Sequence, residues 1–260
     1  MSYLQNTVTP ELISHGRRTA QWAEKHPDKA ALIFVAEDGA TEEFSWQFMS
    51  ERSNQIARLL AEKGVDEHSH VVIGLPNSPE HYLVSLAIWK LGALAIPLRS
   101  KQPRHERDQI LEISTPQIIV ANWDEPNYQV LTLAEVQAAD VYSADPLPDI
   151  ISQPGKAIAS GGSTGRSKLI VAPTPWALPE DAGVFDLLGI EPSMVHLVCG
   201  PLYHNAPYLF SHRGFFQGHT LVLMARFDAA RVVDLIEKYQ VSYAYMAPIM
   251  MSRIAKLPDI

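Results

Sequence analysis

Between residues 71 and 246, short apolar runs alternate with stretches of helical character, and this alternation narrows the fold more than any other feature of the chain. The runs at 71–75, 94–98, 118–121, 157–159, 195–199, 220–224 and 241–246 are mostly apolar along their length. Strands covered on both faces read this way, whereas half-solvated strands alternate apolar and polar residues. Helical stretches at 79–91, 103–113, around 175–188, 228–239 and 248–257 lie between or after them. Strand–helix–strand repetition predicts the α/β class: layered, mainly parallel sheets flanked by helices. Upstream, Thr9-Pro10 opens a helix expected to stop near His26-Pro27. Runs at 30–35 and 41–44 flank a Glu37-Asp38-Gly39-Ala40 turn and read as a hairpin. Ser45 caps a helix to Lys63, closed by Gly64. Residues 122–154, rich in Asp, Pro and Asn, read as a surface excursion.

With 260 residues, 47% of them apolar, the chain can bury a sizeable core. Its net charge of −8, with no basic cluster, argues against a nucleic-acid partner. The single cysteine, Cys199, excludes an internal disulfide framework. No run of 18 apolar residues is present, so no membrane span is expected, and the N-terminus shows no signal-peptide pattern. A cytoplasmic location is the resulting expectation. No metal-ligating spacing of His or Cys occurs, and no Gly-x-Ser-x-Gly elbow.

Between two of the apolar runs stands Ser160-Gly161-Gly162-Ser163-Thr164-Gly165-Arg166-Ser167-Lys168. Glycines let backbone N–H groups turn into one concavity, the hydroxyls of Ser163 and Thr164 add donors, and Lys168 adds a point charge suited to phosphate. The competing reading is a flexible Gly/Ser turn. The pattern is not that of the usual nucleotide-triphosphatase loop, which needs adjacent Gly and Lys, then Ser or Thr, then a helix. Here Lys168 precedes Leu169-Ile170-Val171-Ala172, a short predicted strand.

This loop resembles the signature of the adenylate-forming superfamily: acyl-CoA synthetases, luciferases and peptide-synthetase adenylation domains. Their loop is of the type Thr-Ser-Gly-Thr-Thr-Gly-x-Pro-Lys-Gly. Ser167 stands where the family usually has Pro, and Leu169 where it usually has Gly. Two further segments carry the likeness. Lys90-Leu91-Gly92-Ala93-Leu94-Ala95-Ile96-Pro97 matches a helix–Gly–strand element that is structural in itself. Pro201-Leu202-Tyr203-His204, after the 195–199 strand, is similar to the Pro-Leu-Phe-His motif of acyl-CoA synthetases. A histidine that only bonds a turn is the alternative for His204. Tyr243-Ala244-Tyr245-Met246-Ala247-Pro248 corresponds to a strand bordering the acyl site, with core packing an equal alternative. His212-Arg213-Gly214 lies on a predicted helix and reads as its solvated face, with a charge facing substrate as the alternative.

The resemblance implies a ligase that adenylates a fatty or aromatic acid with ATP and Mg²⁺, then transfers it to coenzyme A. An adenylation domain loading a carrier protein and a non-catalytic binding fragment are the alternatives. Ser160, Gly161, Gly162, Ser163, Thr164, Gly165 and Lys168 would hold the nucleotide phosphates, and His204 would serve at the carboxylate end of the acyl pocket. The resemblance covers nearly the whole chain but only the first half of a family member. It therefore implies an N-terminal fragment, inactive alone and compatible with a homodimer. Residues 1–190 would form a first α/β subdomain ending with the phosphate-loop region. Residues 191–260 would begin a second, truncated one, and the C-terminal domain would be absent.

Overall fold

Two sheets face one another across a layer of helices in the computed structural model, which describes residues 11–160, 167–179 and 189–258. The first sheet is wholly parallel and runs β5 (Leu94–Pro97), β4 (His70–Gly74), β6 (Ile118–Ala121), β7 (Val130–Leu131). The second runs β13 (Tyr243–Ala244), β11 (Val195–Val198), β12 (Thr220–Met224), β2 (Ala30–Val35), all parallel. Its edge is β3 (Thr41–Ser45), antiparallel to β2 across the expected hairpin.

Successive strand residues point to opposite faces, and the core follows that period. Val71 and Ile73 of β4 meet Leu32 of β2 and Leu221 and Leu223 of β12 in the large central core. Val72 and Ile119 point the other way, onto Ile110 and Leu111 of α4 (Arg104–Ser114). Ile33, Val222 and Met224 face Val232 and Leu235 of α7 (Ala229–Tyr239). The layer order is thus helix, sheet, helices, sheet, helix. The middle layer holds α1 (His15–Lys25), α2 (Trp46–Glu62), α3 (Pro79–Lys90) and α6 (Asn205–Phe216). Of α3, only Glu80 is not buried. That suits an apolar helix enclosed between two sheets. Ser45 and Ser78 cap α2 and α3 by accepting from Phe48 N and His81 N. Gly92, at φ +77°, makes the turn from α3 into β5, where a Cβ would come within 2.7 Å of Ile150.

Three stretches differ from the sequence reading. The first described helix begins at His15, capped by Ser14, because Leu12–Ser14 (β1) pairs antiparallel with Ala177–Pro179 (β10); Thr9 and Pro10 lie outside the described residues. That same pairing replaces the start of the helix expected around 175–188, and residues 180–188 lie outside the description. Pro179 lacks the N–H that a helix interior needs, so a strand end suits it better. The third stretch, 122–154, is only partly an excursion. It contributes β7 to the first sheet, then α5 (Leu133–Gln137) and a 3-10 turn at Ala139–Val141. Thr132 and Glu135 form a reciprocal capping box at the start of α5.

The second sheet draws on both sides of residue 190: β2 and β3 come from the first 45 residues, and β11–β13 from beyond 190. Pairing of Leu221–Met224 with Leu32–Val35 ties the chain's beginning to its end. Two antiparallel pairs complete the structure. One is β1–β10. The other is β8 (Ala157–Ser160) with β9 (Lys168–Val171), joined to the first sheet by a parallel bridge between Ala95 and Lys156.

Candidate functional site

Ser160 ends β8, Lys168 begins β9, and the two are partners across the pair. The glycine- and hydroxyl-rich segment therefore links two antiparallel strands and leads into no helix. Gly161, Gly162, Ser163, Thr164, Gly165 and Arg166 lie outside the described residues. At the far side of the segment, Ser167 N donates to Gln109 Oε1 of α4 at 3.1 Å, which fastens the loop's exit to that helix. Lys168 is exposed.

A cavity of about 350 Å³ opens at this place. Ser160 and Ser167 line it from the two strand ends. Arg99, Gln102 and Glu106 line it from the turn and first residues of α4, and Tyr203 and His204 from the loop after β11. His204 is the N-cap residue of α6, with extended backbone and no capping bond from its side chain. Its imidazole also borders a second cavity, of about 180 Å³, together with Gly200, Tyr245, Ala247 and Met250. His204 thus stands between a polar space next to the facing ends of β8 and β9 and a mostly apolar space lined by Tyr245, Ala247 and Met250. Partial burial, and after it the Arg99 guanidinium, hold its pKa below the usual histidine value. It is therefore neutral at pH 7 and keeps one donor and one acceptor.

The loop carrying His204 is held by a residue that the sequence reading passed over. Asn77, between β4 and α3, donates to Gly200 O and Met224 O, both at 3.0 Å, and accepts from Leu202 N at 2.9 Å. Gly200 allows close approach of α6, since a Cβ there would lie 2.7 Å from Pro207. The signal for Asn77 was a polar residue at the carboxyl end of a buried strand, where open α/β sheets gather ligand-facing groups. Next to His204, Asn205 Oδ1 accepts a hydrogen bond from Lys156 Nζ. This contact links the residue before β8 to the first turn of α6.

Of the Tyr243–Pro248 segment, Tyr245 and Ala247 line the smaller cavity, while Tyr243 turns inward onto His196, ring centroids 4.5 Å apart. The site and core readings of that segment each hold for part of it. His212, expected on a solvated face, is fully buried, stacked on Tyr82 at 4.5 Å and edge-on to Trp89 at 4.8 Å. The reason is that the side of α6 carrying His212 packs on Tyr82 and Trp89 of α3, while Leu209, Phe210 and Arg213 of the same turn are partly exposed. Among the described residues, no group of three or more His, Cys, Asp or Glu could hold a metal ion, and no helix is long and apolar enough to cross a membrane.

The sequence and fold have relatives. A crotonobetaine/carnitine–CoA ligase of Citrobacter koseri is 24% identical over 266 residues, covering 91% of this chain and 51% of the relative. Bacitracin synthase 3 of Bacillus licheniformis is 29% identical over 154 residues, 57% of this chain and 2% of that much longer protein. A long-chain-fatty-acid–CoA ligase from Archaeoglobus fulgidus shares the fold with a TM-score of 0.81 at 20% identity, over 95% of this chain and 54% of that one. The chain spans about half the length of the ligases it matches. The profile of the AMP-binding enzymes matches residues 19–260, and the chain belongs to that family.

Proposed function

We propose that this chain supplies the phosphate-loop and carboxylate-side part of an ATP-dependent acid–thiol ligase. One observation carries the reading: the strand ends that bracket the phosphate loop and the histidine of the Pro-Leu-Tyr-His segment line the same cavity. In the first step an ionised carboxylate oxygen attacks the α-phosphorus of ATP. An acyl–phosphate bond forms, the bond to the β-phosphate oxygen breaks, and pyrophosphate leaves. A thiol then attacks the acyl carbon and AMP departs. The first step needs no base, so the protein's work is positioning and charge neutralisation. Ser160, Gly161, Gly162, Ser163, Thr164, Gly165 and Lys168 are the residues assigned to the β- and γ-phosphates. His204, neutral and at the junction of the two cavities, orients the carboxylate. Magnesium would arrive with the nucleotide phosphates. Coenzyme A is the thiol favoured by the likeness to CoA ligases, in a cytoplasmic setting. The likeness to bacitracin synthase 3 supports a second reading, a carrier-bound thiol.

A charge-assisted contact to phosphate is worth roughly 1.5–3 kcal/mol. In the intact ligase, Lys168→Ala should therefore weaken ATP or pyrophosphate binding about 10- to 150-fold by calorimetric titration. Unchanged ATP affinity would return the 160–168 segment to a flexible turn. The 260-residue chain alone should show only background acid-dependent pyrophosphate exchange, because it spans half of its relatives; a clear exchange rate would overturn the reading that it is a part.

A further inference from the structure

Among the described residues, Lys156 and Arg213 are two cations without an anion. The Lys156 ammonium and the Arg213 guanidinium lie 5.7 and 5.4 Å from the centre of the same ring, Trp176. Lys156 is only 7% exposed, and among the described residues the one side-chain hydrogen bond it makes is to Asn205. The buried Nη1 of Arg213 has no hydrogen-bond acceptor. Among the described residues, neither cation pairs with a carboxylate. Burial lowers both, Lys156 to about 8 with Arg213 as a second cause, and Arg213 to about 10. The shortage of partners extends beyond the pair. His15, stacked on Trp176 at 5.3 Å, buries an Nε2 that bonds nothing among the described residues. Folded proteins leave few buried polar atoms unpaired, so a contiguous group of them calls for a missing partner. Here that partner should be negative, since the two strongest unpaired groups are cations.

The pair's position says where the partner enters. Lys156 bonds Asn205, the residue next to His204, and Asn205 is itself exposed. Arg213 follows His204 by nine residues on α6, about 13 Å along the helix. The cations thus begin beside the candidate site and continue inward. Resting on the reading of His204 as the carboxylate end, we propose that the acid taken by this site carries a second anionic group, held by Lys156 and Arg213. The class is an extended dicarboxylic or sulfonated acid, its two anionic groups up to about 13 Å apart. An acid ending in a quaternary ammonium is disfavoured by the same charges, as a like charge in a poorly solvated place is repelled.

Suberate and octanoate, eight-carbon acids with and without the second carboxylate, make the test on the 260-residue chain. Suberate should bind at least tenfold more tightly by calorimetry and raise the melting temperature further. Lys156→Met and Arg213→Met should each remove that preference. Without ligand, each should raise the melting temperature by about 2–4 °C, because a buried unpaired charge is gone. Octanoate binding as tightly as suberate, no suberate binding, or lowered melting temperatures in both ligand-free variants would overturn the inference. ATP titrated into the same samples separates the two readings. ATP binding without a suberate preference sinks the second-anion site alone, while no binding of ATP, pyrophosphate or either acid strikes the ligase reading.

Discussion

Lys90, at the end of α3, donates to Ser50 O at 3.0 Å, Ser53 Oγ at 2.8 Å and Asn54 Oδ1 at 2.6 Å, all from α2. Lys156, equally buried, has one amide oxygen and a guanidinium for a neighbour. Both ammonium groups are desolvated, and burial lowers both, Lys90 to about 7 and Lys156 to about 8. What differs is how far the protein itself completes their hydrogen bonding. A lysine with three oxygens around three donors is a finished tie between two helices. A lysine with one oxygen and a cation beside it is an open position. Around Lys90 the fold is being held, and around Lys156 something from outside is awaited.

The largest expected effect comes from breaking the finished tie. Lys90→Met leaves three oxygens of α2 without their donor and should cost about 2–4 kcal/mol of unfolding free energy in denaturant titration. Opposite signs for Lys90→Met and Lys156→Met, destabilising and stabilising, express the comparison most directly. Destabilisation by both would erase the distinction.

A pH series sharpens it. Lys90 has a native pKa of about 7 against 10.5 when unfolded, so between these values the unfolded chain binds more protons. Stability should rise as pH climbs from about 7 towards 10, with a smaller contribution from Lys156 above pH 8. Removing Lys90 should flatten most of that slope. Going acid, buried His81 and His212 have pKa values lowered to about 3, and His219 to about 4, all chiefly by desolvation. Their stabilisation is complete above about pH 6.5 and is lost as pH falls from there towards 3. A flat stability profile from pH 6.5 to 4 would show that these rings are solvated.

How much of this was legible in the chain follows from how far apart the partners are. β4, β5, β6, β11 and β12 are near-continuous apolar runs, and their burial on both faces could be read from composition alone. Ser45 and Gly64 marked the ends of α2 because capping is local chemistry. The capping box at Thr132 and Glu135 and the misplaced helix at Pro179 were equally local, and were there to be read. Pairing of β12 with β2 could not be, since it joins residues about 190 apart with no spacing to betray it. The site divides in the same way. Ser160, Lys168 and His204 sit in short motifs that announce a chemistry. Asn77 and Lys156 act on residues 123 and 49 positions away, so only the folded chain shows what they hold.

Asn77→Ala is the next largest effect. It removes two donated bonds and one accepted bond from the loops that carry His204, and should cost about 1–3 kcal/mol of stability. Acid binding should weaken with it, while Asn77→Asp, which keeps the acceptor for Leu202 N, should fall between. Wild-type acid affinity in a destabilised Asn77→Ala protein would detach this residue from the site.

His204→Ala should have the smallest effect on the fold and a specific effect on the ligand. The ring is only partly buried and makes no capping bond, so the melting temperature should stay within about 1 °C of the wild type. In this it resembles the Lys156 side of the comparison: a group whose purpose is not met inside the folded chain. Since an ionised carboxylate needs no proton removed, a neutral imidazole has only to place it. Acid affinity should fall in His204→Ala while ATP affinity stays near normal. The pH dependence of adenylation in the complete enzyme should be the same with and without the ring. Desolvation, and after it Arg99, hold the His204 pKa below the usual histidine value. An adenylation rate that rises with an apparent pKa near 6.5 in the wild type, and loses that rise in His204→Ala, would make His204 a titrating base and end the positioning role.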